Sequence, residues 1–209
     1  AQLYNKWLQD IEDSMSPEGS ISDVSPNYWT IYADDVTWPS AFFYVADMLY
    51  RQFGDDSAIR AHYPAMKRWM AHMEEATMKD YIMTKDQYGD WCMPPESLNK
   101  MIGFARICGQ DADISGYESL AAKIKAAYNA KFFNKETAEY GNNTVTANIL
   151  SLRLGLVPEG YEGKVFSNIV KKTEEDFNGH VSTGVLGIQH LMRGLTEYGR
   201  VDMAYKILT

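Results

Sequence analysis

The sequence has no apolar run near the ~20 residues that a membrane-spanning helix requires, which excludes a helical span. Cysteine is nearly absent: Cys92 and Cys108 are two thiols in 209 residues, too few for a disulfide framework. Neither cysteine has the nearby histidine of a zinc site, and the four histidines (His62, His72, His180, His190) are scattered, so no metal or other cofactor is expected. Basic residues are also short, 20 against 28 acidic, for a net charge of −8. With no basic cluster to offset that charge, nucleic acid is excluded as a partner. No residue signature repeats at a fixed period, as it would in a tetratricopeptide array.

What is present is apolar and aromatic: 45% hydrophobic residues, with 14 Tyr, 8 Phe and 5 Trp, enough for a substantial core. The acidic balance with many aromatic rings leaves a neutral ligand open, and a sugar suits it. Carboxylates accept hydrogen bonds from hydroxyls, and aromatic faces cover the apolar side of a pyranose ring.

The apolar spacing is helical nearly throughout. Leu3, Tyr4, Trp7, Leu8 and Ile11 share one face of an opening helix. A long polar loop, SPEGSISDVSPNYWT, follows, and after YADDVTWP an apolar helix runs to a stop at Gly54, with Pro39 in its first turn. A short helical lead-in over 55–61 precedes a helix that Pro64 starts, with Met66, Trp69, Met70 and Met73 as its buried stripe. YIMTKDQYGDWCMPPESL is expected to be a loop, with a short helix from Leu98 to Cys108 after it. Tyr117, Leu120, Ile124 and Tyr128 mark the next helix, which reaches Phe132. Three more helices are expected over 145–156, through Val165, Ile169, Val170, Thr173 and Phe177, and through Leu186, Gln189, Leu191 and Leu195. A last one starts on Val201, Ala204, Tyr205 and Leu208. The sum is about nine helices and no convincing strand. Ala1 has no cap before it and Thr209 no stop signal, so the fold is expected to be incomplete at both ends.

The order YADDVTWP, an apolar helix ending in FGD, YGDW, YGNNTVTAN and VSTGVLGIQHLMRGLTEYGRVDMAYKI resembles the catalytic domain of bacterial α-L-rhamnosidases, glycoside hydrolase family 78. The likeness runs from Lys6 to the end; the ordered set carries it, since a lone GDW is weak. It implies an all-α fold, an (α/α)6 barrel of six helical hairpins, with residues 1–209 forming part of one catalytic domain. It also implies an inverting glycosidase that removes terminal α-L-rhamnose, so the expected partner is a rhamnosylated glycan or glycoside. Inversion needs two carboxyl groups about 6.5–9.5 Å apart, to leave room for water. The family's general acid lies upstream of the KWL helix and its base downstream of the GR-x-D-x-AY helix, so no catalytic residue is assigned within this chain. The family also carries a helix between the GDW loop and the segment like MIGFARICG, where here MPPESL runs almost directly on.

The expected contribution of this chain is therefore substrate binding, by Asp34, Asp35 and Trp38 of YADDVTWP and by Tyr88, Asp90 and Trp91 around YGDW. For the first group a second reading stands beside it: an aspartate caps the following helix while Trp38 packs into core. For the second, the alternative is a turn aspartate with a buried anchor. His180 is read as ordinary loop chemistry, His190, Trp7 and Trp69 as core, and the runs Asp55–Asp56 and Glu174–Asp176 as solvated helix ends. An (α/α)6 enzyme for another sugar, or a non-enzymatic helical scaffold, are the competing functions.

Overall fold

A computed structural model of the chain describes residues 2–29, 31–85 and 94–208. Among the described residues there are nine α-helices: α1 (Gln2–Asp13), α2 (Ala41–Phe53), α3 (Ser57–His72), α4 (Pro94–Cys108), α5 (Asp111–Phe132), α6 (Val145–Arg153), α7 (Glu162–Glu175), α8 (Val185–Glu197) and α9 (Val201–Leu208). A π-helical turn, Met73–Thr77, prolongs α3. Two minimal antiparallel pairs add the only strands described: β1 (Met78–Lys79) with β2 (Ile82–Met83), and β3 (Phe133–Asn134) with β4 (Glu139–Tyr140). No described helix is long and apolar enough to cross a membrane.

The chain divides into two units, Ala1–Ile124 and Lys125–Thr209. In the first, α1 packs on α2 and α3, and α3 on α4. Leu8, Phe42, Phe43, Leu49, Ile59, Met66, Leu98 and Met101 are removed from solvent there, each contributing about 1.5–3 kcal/mol of hydrophobic transfer. The Phe43 and Trp69 rings meet with centroids 5.2 Å apart. In the second unit α6 lies against α7 and α8, and α8 against α9. Tyr140, Ile149, Val165, Ile169, Leu191 and Leu195 fill its core.

Several expectations shift by a turn or a face. Pro64 does not start a helix; it sits inside α3, whose buried face runs unbroken through Ile59, Tyr63, Met66 and Met70. Packing on both sides of the proline outweighs the one backbone hydrogen bond it removes. Pro39 lies in the turn ahead of α2, and Gly54 (φ 67°) closes that helix as expected. α4 begins at Pro94 and not at Leu98, because prolines are tolerated in the first helical turn, where their missing N–H has no intrahelical acceptor. On α8 the buried face is Gly187, His190, Leu191, Gly194 and Leu195, leaving Gln189 exposed. On α9 it is Met203, Ala204 and Ile207, while Val201, Tyr205 and Leu208 face outward. Leu3 and Tyr4 of α1 are likewise exposed.

The YGNNTVTAN segment explains itself structurally. Asn148 is buried, and its Oδ1 accepts from the Tyr140 amide at 2.9 Å while its Nδ2 donates to Asn143 Oδ1 (2.8 Å) and the Thr144 carbonyl (3.0 Å). Thr144 Oγ1 caps α6 by accepting from the Ala147 amide at 3.1 Å. The buried Tyr140 hydroxyl donates to Asn129 Oδ1 at 2.7 Å. Every polar group of this turn cited here has a partner, which is what permits it to be buried.

Candidate functional site

Among the described residues between α1 and α2 there is no regular structure, and scattered side-chain and backbone hydrogen bonds hold the chain instead. Trp7 Nε1 donates to the Ser25 carbonyl at 3.0 Å, and the Ser16 amide to the Ser20 carbonyl at 2.8 Å. Gly19 (φ 99°) passes so close to α3 that a Cβ there would stand 3.0 Å from the Arg68 carbonyl oxygen. That approach delivers Ser20 to the loop's acidic end.

The two aspartates of YADD diverge. Asp34 takes a left-handed backbone conformation (φ 54°), which aspartate tolerates better than most residues. Its Oδ1 accepts from Ser20 Oγ at 3.0 Å and from His72 Nε2 at 2.8 Å, while its Oδ2 lies 3.7 Å from Lys85 Nζ. An ionised carboxylate only accepts, so His72 Nε2 carries the proton. Burial pushes the Asp34 pKa up, but the hydrogen bonds from His72 and Ser20, with the charges of His72 and Lys85, outweigh it. The net effect holds this carboxyl below the ordinary aspartate value, and it stays ionised at neutral pH.

Asp35 is 0% exposed and turns inward. Its carboxylate accepts from the amides of Thr37 (2.8 Å) and Trp38 (3.4 Å), so it shapes the turn that feeds α2. The N-cap position of α2 is Ser40, with no side-chain cap hydrogen bond, so Asp35 works in the preceding turn and does not cap that helix as the second reading expected. Trp38 is not core: 49% of it is exposed, on the turn that Asp35 holds. The arrangement thus offers an ionised acceptor and a half-exposed indole on one short segment, the pair of features that a hydroxyl-bearing ring needs.

Tyr88, Asp90 and Trp91 lie outside the described residues, as does Cys92. Lys85, three residues before the YGDW motif, reaches Asp34. Ser20, His72 and Lys85 were not singled out by sequence. Their partner is distant along the chain, and no local spacing signals it. Among the described residues no group of three or more His, Cys, Asp or Glu is arranged to hold a metal ion. His180 is exposed on its loop and His190 is buried in α8. The acidic runs sit at helix ends, where Asp55 accepts from the Ser57 amide at 3.0 Å and Glu174 pairs with Arg200 at 2.7 Å.

The chain matches the bacterial α-L-rhamnosidase six-hairpin glycosidase domain over residues 1–100 and 93–209. It belongs to that family. The six-hairpin fold expected from the resemblance is therefore its fold. The match comes as two segments that overlap over residues 93–100. An α-L-rhamnosidase of Streptomyces avermitilis is 26% identical over 220 residues, covering 100% of this chain and 21% of the relative. One from Formosa agariphila is 27% identical over 228 residues, covering 99% and 24%. Among solved structures, the α-L-rhamnosidase of Dictyoglumus thermophilum superposes with a TM-score of 0.89 at 32% identity, covering 98% of this chain and 25% of that one. The Streptomyces avermitilis enzyme complexed with L-rhamnose gives 0.86 at 26% identity, covering 96% and 20%. The chain thus spans a fifth to a quarter of the length of these relatives.

Proposed function

We propose that this chain forms part of an α-L-rhamnosidase that removes terminal α-L-rhamnose from glycans or glycosides with inversion at the anomeric carbon. The observation that carries this reading is the likeness across nearly the whole chain to rhamnosidases, one of them complexed with L-rhamnose. The site supports it chemically. Asp34, ionised and anchored by His72 and Ser20, accepts a hydrogen bond from a hydroxyl of the sugar, and the exposed indole of Trp38 covers the ring's apolar face. Asp35 takes its part by fixing Trp38, and the resemblance gives Tyr88, Asp90 and Trp91 of the YGDW segment a share in binding the sugar. The general acid and base lie in chain beyond these residues, so this part of the enzyme binds and orients the sugar and does not itself move the proton.

The test is hydrolysis of a panel of aryl glycosides by the full-length protein, with the product followed by proton NMR. Release from the α-L-rhamnoside, with β-L-rhamnose appearing first, is the expected result. Turnover of a different sugar would move the protein to another specificity of the same fold, and α-L-rhamnose appearing first would refute inversion.

A further inference from the structure

The loop ahead of Asp34 carries two aromatic rings that the site described above does not use. Tyr28 is 84% exposed and Trp29 61% exposed, and they stand edge to face with ring centroids 5.4 Å apart. Large aromatic side chains ordinarily contribute their area to a core or an interface. Here the flanking chain is tied down, yet the described residues leave these two rings largely uncovered. Asn27 Nδ2 donates to the Tyr32 hydroxyl at 2.8 Å, and that hydroxyl donates to the Ser14 carbonyl at 2.6 Å. Ser22 Oγ lies 3.1 Å from both Asn27 Oδ1 and the Ile31 carbonyl, and the Asp23 amide donates to Ile31 at 3.0 Å. The loop is braced on both sides of the pair, so presenting the rings costs a ligand little ordering entropy.

The charge of the segment that carries the rings favours a neutral ligand. Residues 7–50 contain no Lys, Arg or His, but eight aspartates and glutamates, Asp34 among them. An anionic partner is repelled from such a segment, whereas hydroxyl donors find acceptors in it. Five peptide units separate Trp29 from Asp34, so their Cα atoms are no more than about 18 Å apart, a distance an oligosaccharide covers.

We infer that Tyr28 and Trp29 form a second carbohydrate-binding subsite, which stacks against a neutral sugar of the same glycan whose terminal rhamnose is held at Asp34 and Trp38. The inference rests on the rhamnose-binding reading of that site. It makes the protein prefer extended glycans over short glycosides, by contacts remote from the bond that is cut.

The experiment is isothermal titration of the full-length protein with L-rhamnose and with a hydrolysis-resistant, sulfur-linked α-L-rhamnosyl oligosaccharide. The oligosaccharide is expected to bind about tenfold more tightly than rhamnose. Tyr28→Ala and Trp29→Ala should remove that gain and leave rhamnose affinity unchanged, and Trp29→Phe should retain most of it. Equal affinity for the two ligands, untouched by the variants, overturns the subsite and leaves the rhamnose site standing. Binding of neither ligand removes the rhamnose site and the subsite together. An equal loss for both ligands in Trp29→Ala would make Trp29 part of the rhamnose site itself and overturn a separate subsite. Self-association of the protein that Trp29→Ala abolishes, with no effect of sugar, would give the surface to a second copy of the chain and overturn the proposal.

Discussion

His72 Nε2 donates to Asp34 Oδ1 at 2.8 Å, tying the end of α3 to the loop that leads into α2. The pair is thirty-eight residues apart in sequence, and both side chains are largely buried. It stands where α3 passes into its π-helical turn, a distortion that recurs beside functional sites. The aspartate so held is the one that the candidate sugar site needs ionised.

Removing the histidine should therefore affect both fold and site. His72→Ala leaves Asp34 with one fewer charge-assisted donor, and a loss of about 1–3 kcal/mol in unfolding free energy is expected by urea titration. His72→Gln keeps an N–H donor and should recover part of it. A His72→Ala protein as stable as its parent would show the contact to be incidental.

The acid limb of stability should also carry Asp34. Its folded-state pKa is depressed, so the folded protein binds this proton less readily than the unfolded chain. The contribution is complete above the ordinary aspartate value of about 4 and is lost as pH falls through the lower folded value. The stability gap between the parent and Asp34→Asn is expected to be full near neutral pH. It should narrow as pH falls below the ordinary aspartate value of about 4. A gap that widens on acidification would reverse the sign argued here.

In the second unit, Asn148 is the polar keystone of the turn between β4 and α6. Asn148→Ala leaves the buried Tyr140 amide without its acceptor and should cost about 2 kcal/mol or more. Asn148→Asp keeps that acceptor but sets a carboxylate against Asn143 Oδ1 and the Thr144 carbonyl, so it should destabilise at neutral pH and partly recover in acid. Thermal unfolding at two pH values separates the two effects.

Gly187 permits the close approach of α8 to α6. A Cβ there would stand 2.8 Å from Thr183 Cβ and 3.0 Å from Thr146 Oγ1, and a β-carbon cannot swing aside. Gly187→Ala is expected to destabilise by about 1–3 kcal/mol despite alanine's better helix propensity. A neutral or stabilised variant would mean that the helices slide apart at no cost.

Helix existence was legible because it rests on local periodicity: Leu8 with Ile11, or Met66 with Trp69 and Met70, declare a buried face within one or two turns. Gly54 and Gly109 were legible as stops for the same local reason. Pro64 was misjudged because its cost is local while the packing that overrides it is tertiary. The faces of α8 and α9 were misjudged because Leu186, Tyr205 and Leu208 are as apolar as the residues that are buried, and hydrophobicity alone does not choose between adjacent stripes. At the site, the sequence showed the carboxylates and the indole together. It could not show that Asp35 turns inward and Asp34 toward His72, since Ser20, His72 and Lys85 reach Asp34 from fourteen to fifty-one residues away.

The central claim, that Asp34 and Trp38 hold a rhamnose ring, is tested most directly by calorimetric titration of L-rhamnose into the full-length protein and into its Asp34→Asn and Trp38→Ala variants. The account predicts saturable binding by the parent, weakened about tenfold or more in each variant while far-UV circular dichroism is unchanged. Rhamnose binding that is indifferent to both substitutions would contradict it, and the sugar would have to be sought at other residues.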